Sequence, residues 1–222
     1  MSIDPNGVLY VANYSGSSVT IYPAGATSPS LTLSQGLTQP IGVVTDSVGN
    51  VYVSNRSPNQ ILVYPPGQTT PATTYTSSLF TALCGMFFDG AGTLYVGDNN
   101  SGVLTLAKGS GQFVSLGLQG VREVGGLTMD AKGDLFVTDI YRINQTFVYP
   151  PGQLTPSRHL QPSIDSNFLT HGSVRGRDYV FAPNWESNTV TIFRDRGDEP
   201  IGSFTTPGQK VLAAAYKPPG VP

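Results

Sequence analysis

The chain has 222 residues, only 12% of them charged, with 12 Lys and Arg set against 14 Asp and Glu. That length suits one large domain or two small ones, and so even a balance provides no global field to hold nucleic acid or an anionic membrane. A lone cysteine, Cys84, excludes an internal disulfide and a thiolate metal cluster, and no apolar run approaches the roughly 20 residues of a membrane-spanning helix.

The abundance of glycine (26) and proline (18) predicts many short strands joined by tight turns. The N-terminal Met1-Ser-Ile-Asp-Pro5 has neither the basic region nor the apolar core of a signal peptide. From Asp4 a pattern begins: Asp4-Pro-Asn-Gly7 followed by Val8-Leu-Tyr-Val-Ala-Asn13. It returns as Asp46-Ser-Val-Gly49 with Val51-Tyr-Val53, as Asp89-Gly-Ala-Gly92 with Leu94-Tyr-Val96, and as Asp130-Ala-Lys-Gly133 with Leu135-Phe-Val137. A degraded copy runs Ser173-Val-Arg-Gly176-Arg-Asp-Tyr-Val-Phe-Ala182. The glycines Gly7, Gly49, Gly92, Gly133 and Gly176 are spaced by about 42 residues, a period that marks supersecondary units burying their faces against one another. The unbroken repeat argues for a single domain over 1–222.

Each unit has four parts. An apolar first strand is predicted at Ile41–Thr45, Cys84–Phe88, Gly125–Met129, Phe168–Gly172 and Val211–Tyr216. The Asp-x-x-Gly turn follows, in which Asp bonds its own backbone and Gly supplies positive φ. After the second strand, ending at Asn or Asp, a third is predicted at Val19–Tyr22, Ile61–Tyr64, Val103–Leu106, Phe147–Tyr149 and Val190–Phe193. A proline-glycine turn such as Tyr64-Pro-Pro-Gly67 leads to a more polar fourth strand, for example Ser30–Leu33, as an outer edge requires. Prolines so placed exclude a helical repeat. Four short strands per unit describe a propeller blade, so the fold class is all-β: a five-bladed β-propeller of four-stranded antiparallel blades.

On this reading the chain opens at the second strand of a blade, as an excised domain or a sequence lacking its start would. It ends on a first strand with no blade of its own. Pairing of Val211–Tyr216 with Val8–Ala12 would then close the ring from both termini; the alternative is part of a six-bladed propeller.

Gly-Asn-Val-Tyr-Val-Ser-Asn55 with Asn59-Gln-Ile-Leu-Val-Tyr64, preceded by Pro40-Ile-Gly-Val-Val-Thr-Asp46, resembles the NHL repeat. That repeat belongs to a wider group with the gluconolactonase and strictosidine-synthase-like propellers. The resemblance implies a propeller, mostly six-bladed in that family, acting as a binding platform for protein or RNA. Some relatives are calcium-dependent lactonases, and one is a zinc- and calcium-using lyase. The first-strand starts here offer Gln39, Ala82, Glu123, Asn167 and Lys210, a poor match to the six to eight oxygens of a Ca²⁺ cage. With two histidines in the chain, a zinc site would need carboxylates. The expectation is therefore no cofactor and no metal, with Ca²⁺ as the alternative.

Functional residues are sought where the blades differ. The second-to-third turns and inter-blade loops share one face, and there Tyr14, Arg56, Arg122, Tyr141, Arg142 and Trp185 vary from blade to blade. Aromatic and Arg residues around a concave mouth suit recognition of a protein, peptide or carbohydrate, with no nucleic acid and no membrane span. A monomeric, non-catalytic binding scaffold is the first reading. The polar, charge-poor surface suits a secreted or periplasmic protein whose signal sequence is absent from this chain. The second reading is a lactonase-like hydrolase or lyase with an axial polar site near Glu123, Asp165, His171 and Lys210. Cys84 reads as a buried structural thiol, Asp98–Gly102 as a plain turn and not a calcium loop, Arg196-Gly-Asp198 as a charged turn, and His159 as exposed.

Overall fold

The structure, a computed structural model, describes residues 1–140, 144–161, 168–184, 187–194, 196–205 and 215. Among the described residues, twenty strands form five four-stranded antiparallel sheets and no helix occurs. From axis to rim, the first blade is β1 (Ser2–Ile3), β2 (Leu9–Asn13), β3 (Ser18–Tyr22) and β4 (Leu31–Leu33). The second is β5 (Pro40–Thr45), β6 (Val51–Arg56), β7 (Asn59–Tyr64) and β8 (Thr73–Tyr75). The third is β9 (Leu83–Phe88), β10 (Leu94–Asp98), β11 (Gly102–Leu106) and β12 (Phe113–Ser115). β13 (Val124–Met129), β14 (Leu135–Asp139), β15 (Gln145–Tyr149) and β16 (Arg158–His159) make the fourth. β17 (Thr170–Val174), β18 (Arg177–Asn184), β19 (Thr189–Arg194) and β20 (Pro200–Thr205) make the fifth.

The Asp-x-x-Gly turn is built as its residues dictate. Asp46 Oδ1 accepts from the Val48 and Asn50 amides at 3.0 and 2.9 Å, and the Gly49 amide returns to Asp46 O at 3.1 Å. Asp89 and Asp130 repeat the bonds to residues two and four ahead. Gly49 has φ +89°, a region where a Cβ would be strained. In the fifth blade the turn contracts. Val174 pairs directly with Arg177, leaving Arg175 and Gly176 as a two-residue hairpin with both φ positive. The strand therefore runs on through Ser173 and Val174, and the inner strand lies at Thr170–Val174, two residues beyond the expected Phe168–Gly172.

A second departure is at the N-terminus. Ser2 pairs with Tyr10 and Ile3 with Leu9, so the first blade has its own inner strand and does not begin at its second. The edge of β2 expected to receive 211–216 is thus occupied at Leu9 and Tyr10. That expected strand lies outside the described residues except for Ala215, which lines the axial cavity beside Met1, Ser2 and Ile3.

The core is a series of inter-blade layers. Tyr10, Val19, Ile21 and Leu33 of the first blade pack on Val43, Val53, Leu62 and Tyr64 of the second. Ile61 of the second joins Leu83, Val96, Leu104 and Phe113 of the third. Val103 of the third meets Val124, Leu127 and Tyr149 of the fourth, and Phe136, Val148 and Leu160 of the fourth meet Leu169, Val180 and Phe193 of the fifth. Near the axis small residues allow close approach. A Cβ on Gly42 would lie 2.8 Å from Cys84 O, and one on Gly85 3.1 Å from Gly125 O. Ser54 ties two blades there, its Oγ accepting from the Gly42 amide at 2.7 Å and donating to Cys84 O at 2.8 Å.

Candidate functional site

Strand register defines the two ends of the propeller. Pro40 pairs with Asn55, Leu83 with Asp98 and Val124 with Asp139, so inner-strand starts and second-strand ends share one face with the loops between blades. The Asp-x-x-Gly turns lie at the other end.

On the loop face of the second, third and fourth blades the recurring Asn or Asp serves as an anchor. Asp98 is fully buried, and its carboxylate accepts from the Thr81, Ala82, Asn100 and Ser101 amides and the Thr81 hydroxyl. Burial raises its pKa, but these hydrogen bonds outweigh it and hold the carboxyl below its usual range. Asn55, also fully buried, accepts from the Thr38 amide at 2.6 Å and donates to Ser57 O and Pro58 O. Asp139 accepts from the Arg122 amide at 3.0 Å. Each anchor fastens a second-to-third turn or an inter-blade loop, so the variable residues around it stand on a fixed backbone. Asp98–Gly102 is accordingly a turn whose carboxylate is spent on amides, and Asp198 of Arg196-Gly-Asp198 pairs with Arg158 at 2.7 Å.

Tyr14 projects from the first blade's turn and is 43% exposed; Arg122 is exposed on the loop entering the fourth blade. Arg56 behaves differently. It is half-buried, and its guanidinium Nη2 donates at 3.1 Å to the Asn99 side-chain oxygen, whose amide nitrogen donates at 3.2 Å to Val124 O. Arg56 and Asn99 together thus link three blades around the mouth. Cys84 Sγ contacts the same Asn99 amide at 2.9 Å. Burial, foremost, pushes the Cys84 thiol up to about 12 against the pull of Arg56, which leaves it protonated and unreactive. Neither the Arg56–Asn99 bond nor its reach to Val124 has a sequence signal, because the partners lie in different blades. Tyr141, Arg142 and Trp185 lie outside the described residues.

The axial cavity has a volume of about 310 Å³ and is lined by inner-strand residues of all five blades with Ala215. His171 is its one titratable side chain among the described residues. Its Nε2 lies 3.4 Å from Asp178 Oδ1 without hydrogen-bond alignment. Glu123 stands at the loop face and is not part of that lining, while Asp165 and Lys210 lie outside the described residues. The four residues of the expected axial site are therefore not seen brought together. No group of three His, Cys, Asp or Glu that could hold a metal stands together among the described residues. No helix among them is long and apolar enough to cross a membrane.

No family model matches the chain and no curated protein matches it. Among solved structures it is similar to one described as the crystal structure of a nidogen/laminin complex, with a TM-score of 0.81 and 20% identity. The match covers 96% of this chain and 82% of that one. At this identity the likeness establishes the β-propeller, a fold that hosts many unrelated functions.

Proposed function

We propose that this protein is a non-catalytic interaction scaffold of the NHL kind, engaging a protein partner through its loop face. The observation that carries this reading is the contrast on that face between buried anchors and variable side chains around them. Asn55, Asp98 and Asp139 fasten the backbone, while Tyr14 and Arg122 project from it. Preorganised loops presenting aromatic and Arg side chains lose little entropy on binding. Tyr141, Arg142 and Trp185, in equivalent loops by sequence, are proposed to complete the surface, with Arg56 bracing the mouth. The similar solved structure is described as a nidogen/laminin complex, and a like propeller found in a protein–protein complex supports a protein as the partner class.

The test compares partners cross-linked to the wild-type protein in its native extract with those cross-linked to a Tyr14→Ala/Arg122→Ala/Trp185→Ala variant. A partner retained by the wild type and lost by the variant, at unchanged melting temperature, is the expected result. Capture unaffected by the substitutions would remove the loop face from the account. A hydrolytic reading rests on the His171–Asp178 pair beside the axial cavity, and turnover of a lactone or ester abolished by His171→Ala would establish it in place of the scaffold.

A further inference from the structure

At the opposite end of the molecule, between the second and third blades, lies a crevice of about 400 Å³. We propose that it is a binding site for a neutral saccharide, independent of the loop-face reading. Its aromatic lining is Tyr52, Tyr75 and Phe88, and its polar lining includes Asp46, Asp89 and Lys108. The rings are half-buried and held by edge contacts: Tyr52 against Phe88 at 5.0 Å and 80°, and Tyr75 against Phe113 at 5.8 Å and 78°. Glycine and alanine in the Asp89 turn and the Ala107 turn keep the opening clear.

The mixture of acceptors, donors and rings points to the ligand class. Asp46 and Asp89 each spend Oδ1 on two turn amides; Asp46 Oδ2 accepts from the Asn50 side-chain nitrogen at 2.8 Å, and Asp89 also accepts from the Tyr95 hydroxyl. A carboxylate has about four acceptor sites, so both keep acceptor capacity. Lys108 has no hydrogen bond or ion pair among the described residues, so its donors are free. Two carboxylates oppose an anionic ligand, and the Lys108 ammonium in the same lining leaves both free acceptors and free donors to be matched at once. A neutral polyol satisfies both signs, since each hydroxyl donates and accepts while the C–H face of a pyranose packs on an aromatic ring. A peptide finds no strand edge to extend here. The turn amides of Asp89, Gly92 and Ser110 bond to Thr93 O, Asp89 O and Ala107 O within the same turns. Nor does the fold require such a lining. The crevice in the fifth blade beside Lys132 is lined by Gly176, Arg177, Asp178 and Arg194, with no aromatic ring among the described residues.

The experiment is an amide chemical-shift titration of the whole protein with cellobiose, maltose, lactose and N,N′-diacetylchitobiose, together with an oligoproline peptide. The blocking variant is Gly90→Trp. A Cβ at Gly90 meets nothing within 4 Å, and Pro5, Ser47 and Ala131 occupy the same turn position in other blades. We expect at least one sugar to give saturable shifts at Val48, Gly90 and Lys108, weakened about tenfold or more in Gly90→Trp and in Lys108→Ala at unchanged melting temperature. The proposal is overturned if no sugar gives saturable shifts, if the shifts survive Gly90→Trp, or if the oligoproline peptide alone produces them.

Discussion

Asp98 shows how much one recurring side chain does. The sequence displays Asn or Asp at the end of every second strand, and turn chemistry explains the type. It does not display that the carboxylate reaches back 16 and 17 residues to Ala82 and Thr81, which is a property of the folded register. Replacing Asp98 by Ala leaves several buried donors unpaired, and the expected loss is about 3 kcal/mol in chemical denaturation. The pH dependence follows from the lowered pKa. A depressed carboxyl contributes its stability in full above its unfolded value of 3.8 and loses it as pH falls through the folded value. Wild-type stability should therefore drop on acidification below about pH 4, and Asp98→Asn should be less stable at neutral pH but flatter across that range. An equal acid slope in both proteins would contradict the assignment.

At the scale of elements, strands were legible and their crowding only partly so. The third strands and three of the inner ones begin and end within about two residues of the pattern, because β-branched and aromatic runs bounded by Gly, Pro and Asp leave little choice. The fifth inner strand slipped because Ser173–Gly176 lacks the leading Asp, and a two-residue hairpin replaced the longer turn. Ser2–Ile3 carries no signal in the sequence, since two residues show no periodicity. The inner-strand glycines answer to crowding at the axis, where the Gly42 position faces the backbone of the next blade. Gly42→Ala should force β5 and β9 apart and cost about 2 kcal/mol or more in thermal unfolding, as overpacking does. Gly202→Ala, in a strand where a Cβ meets nothing within 4 Å and φ is not positive, should be neutral or mildly stabilising. Equal effects at both positions would mean that the inner strands are not packed as described.

For the whole molecule, repetition made the architecture readable and the function opaque. The residues that repeat build turns and inter-blade layers, so they identify a propeller with five blades. The residues that could recognise a partner are those that do not repeat, and their neighbours come from other blades. Arg56 and Asn99 illustrate this, being far apart in the chain and bonded at the mouth. The crevice of Tyr52, Tyr75 and Phe88 was equally hidden, since its rings come from two blades on the face where the sequence is most constant. Of the residues expected at an axial site, His171 lines the axial cavity and Glu123 stands at the loop face.

A protein partner on the loop face, held by a rigid frame, has a direct signature in backbone protection. Hydrogen-exchange mass spectrometry of the protein alone and with its cross-linked partner tests it most directly. The account predicts new protection at the turn after Tyr14, at Arg56–Pro58 and at Arg122–Glu123, with the Asp46, Asp89 and Asp130 turns at the other end unchanged. Protection confined to those Asp turns, or to the axial strands alone, would contradict it.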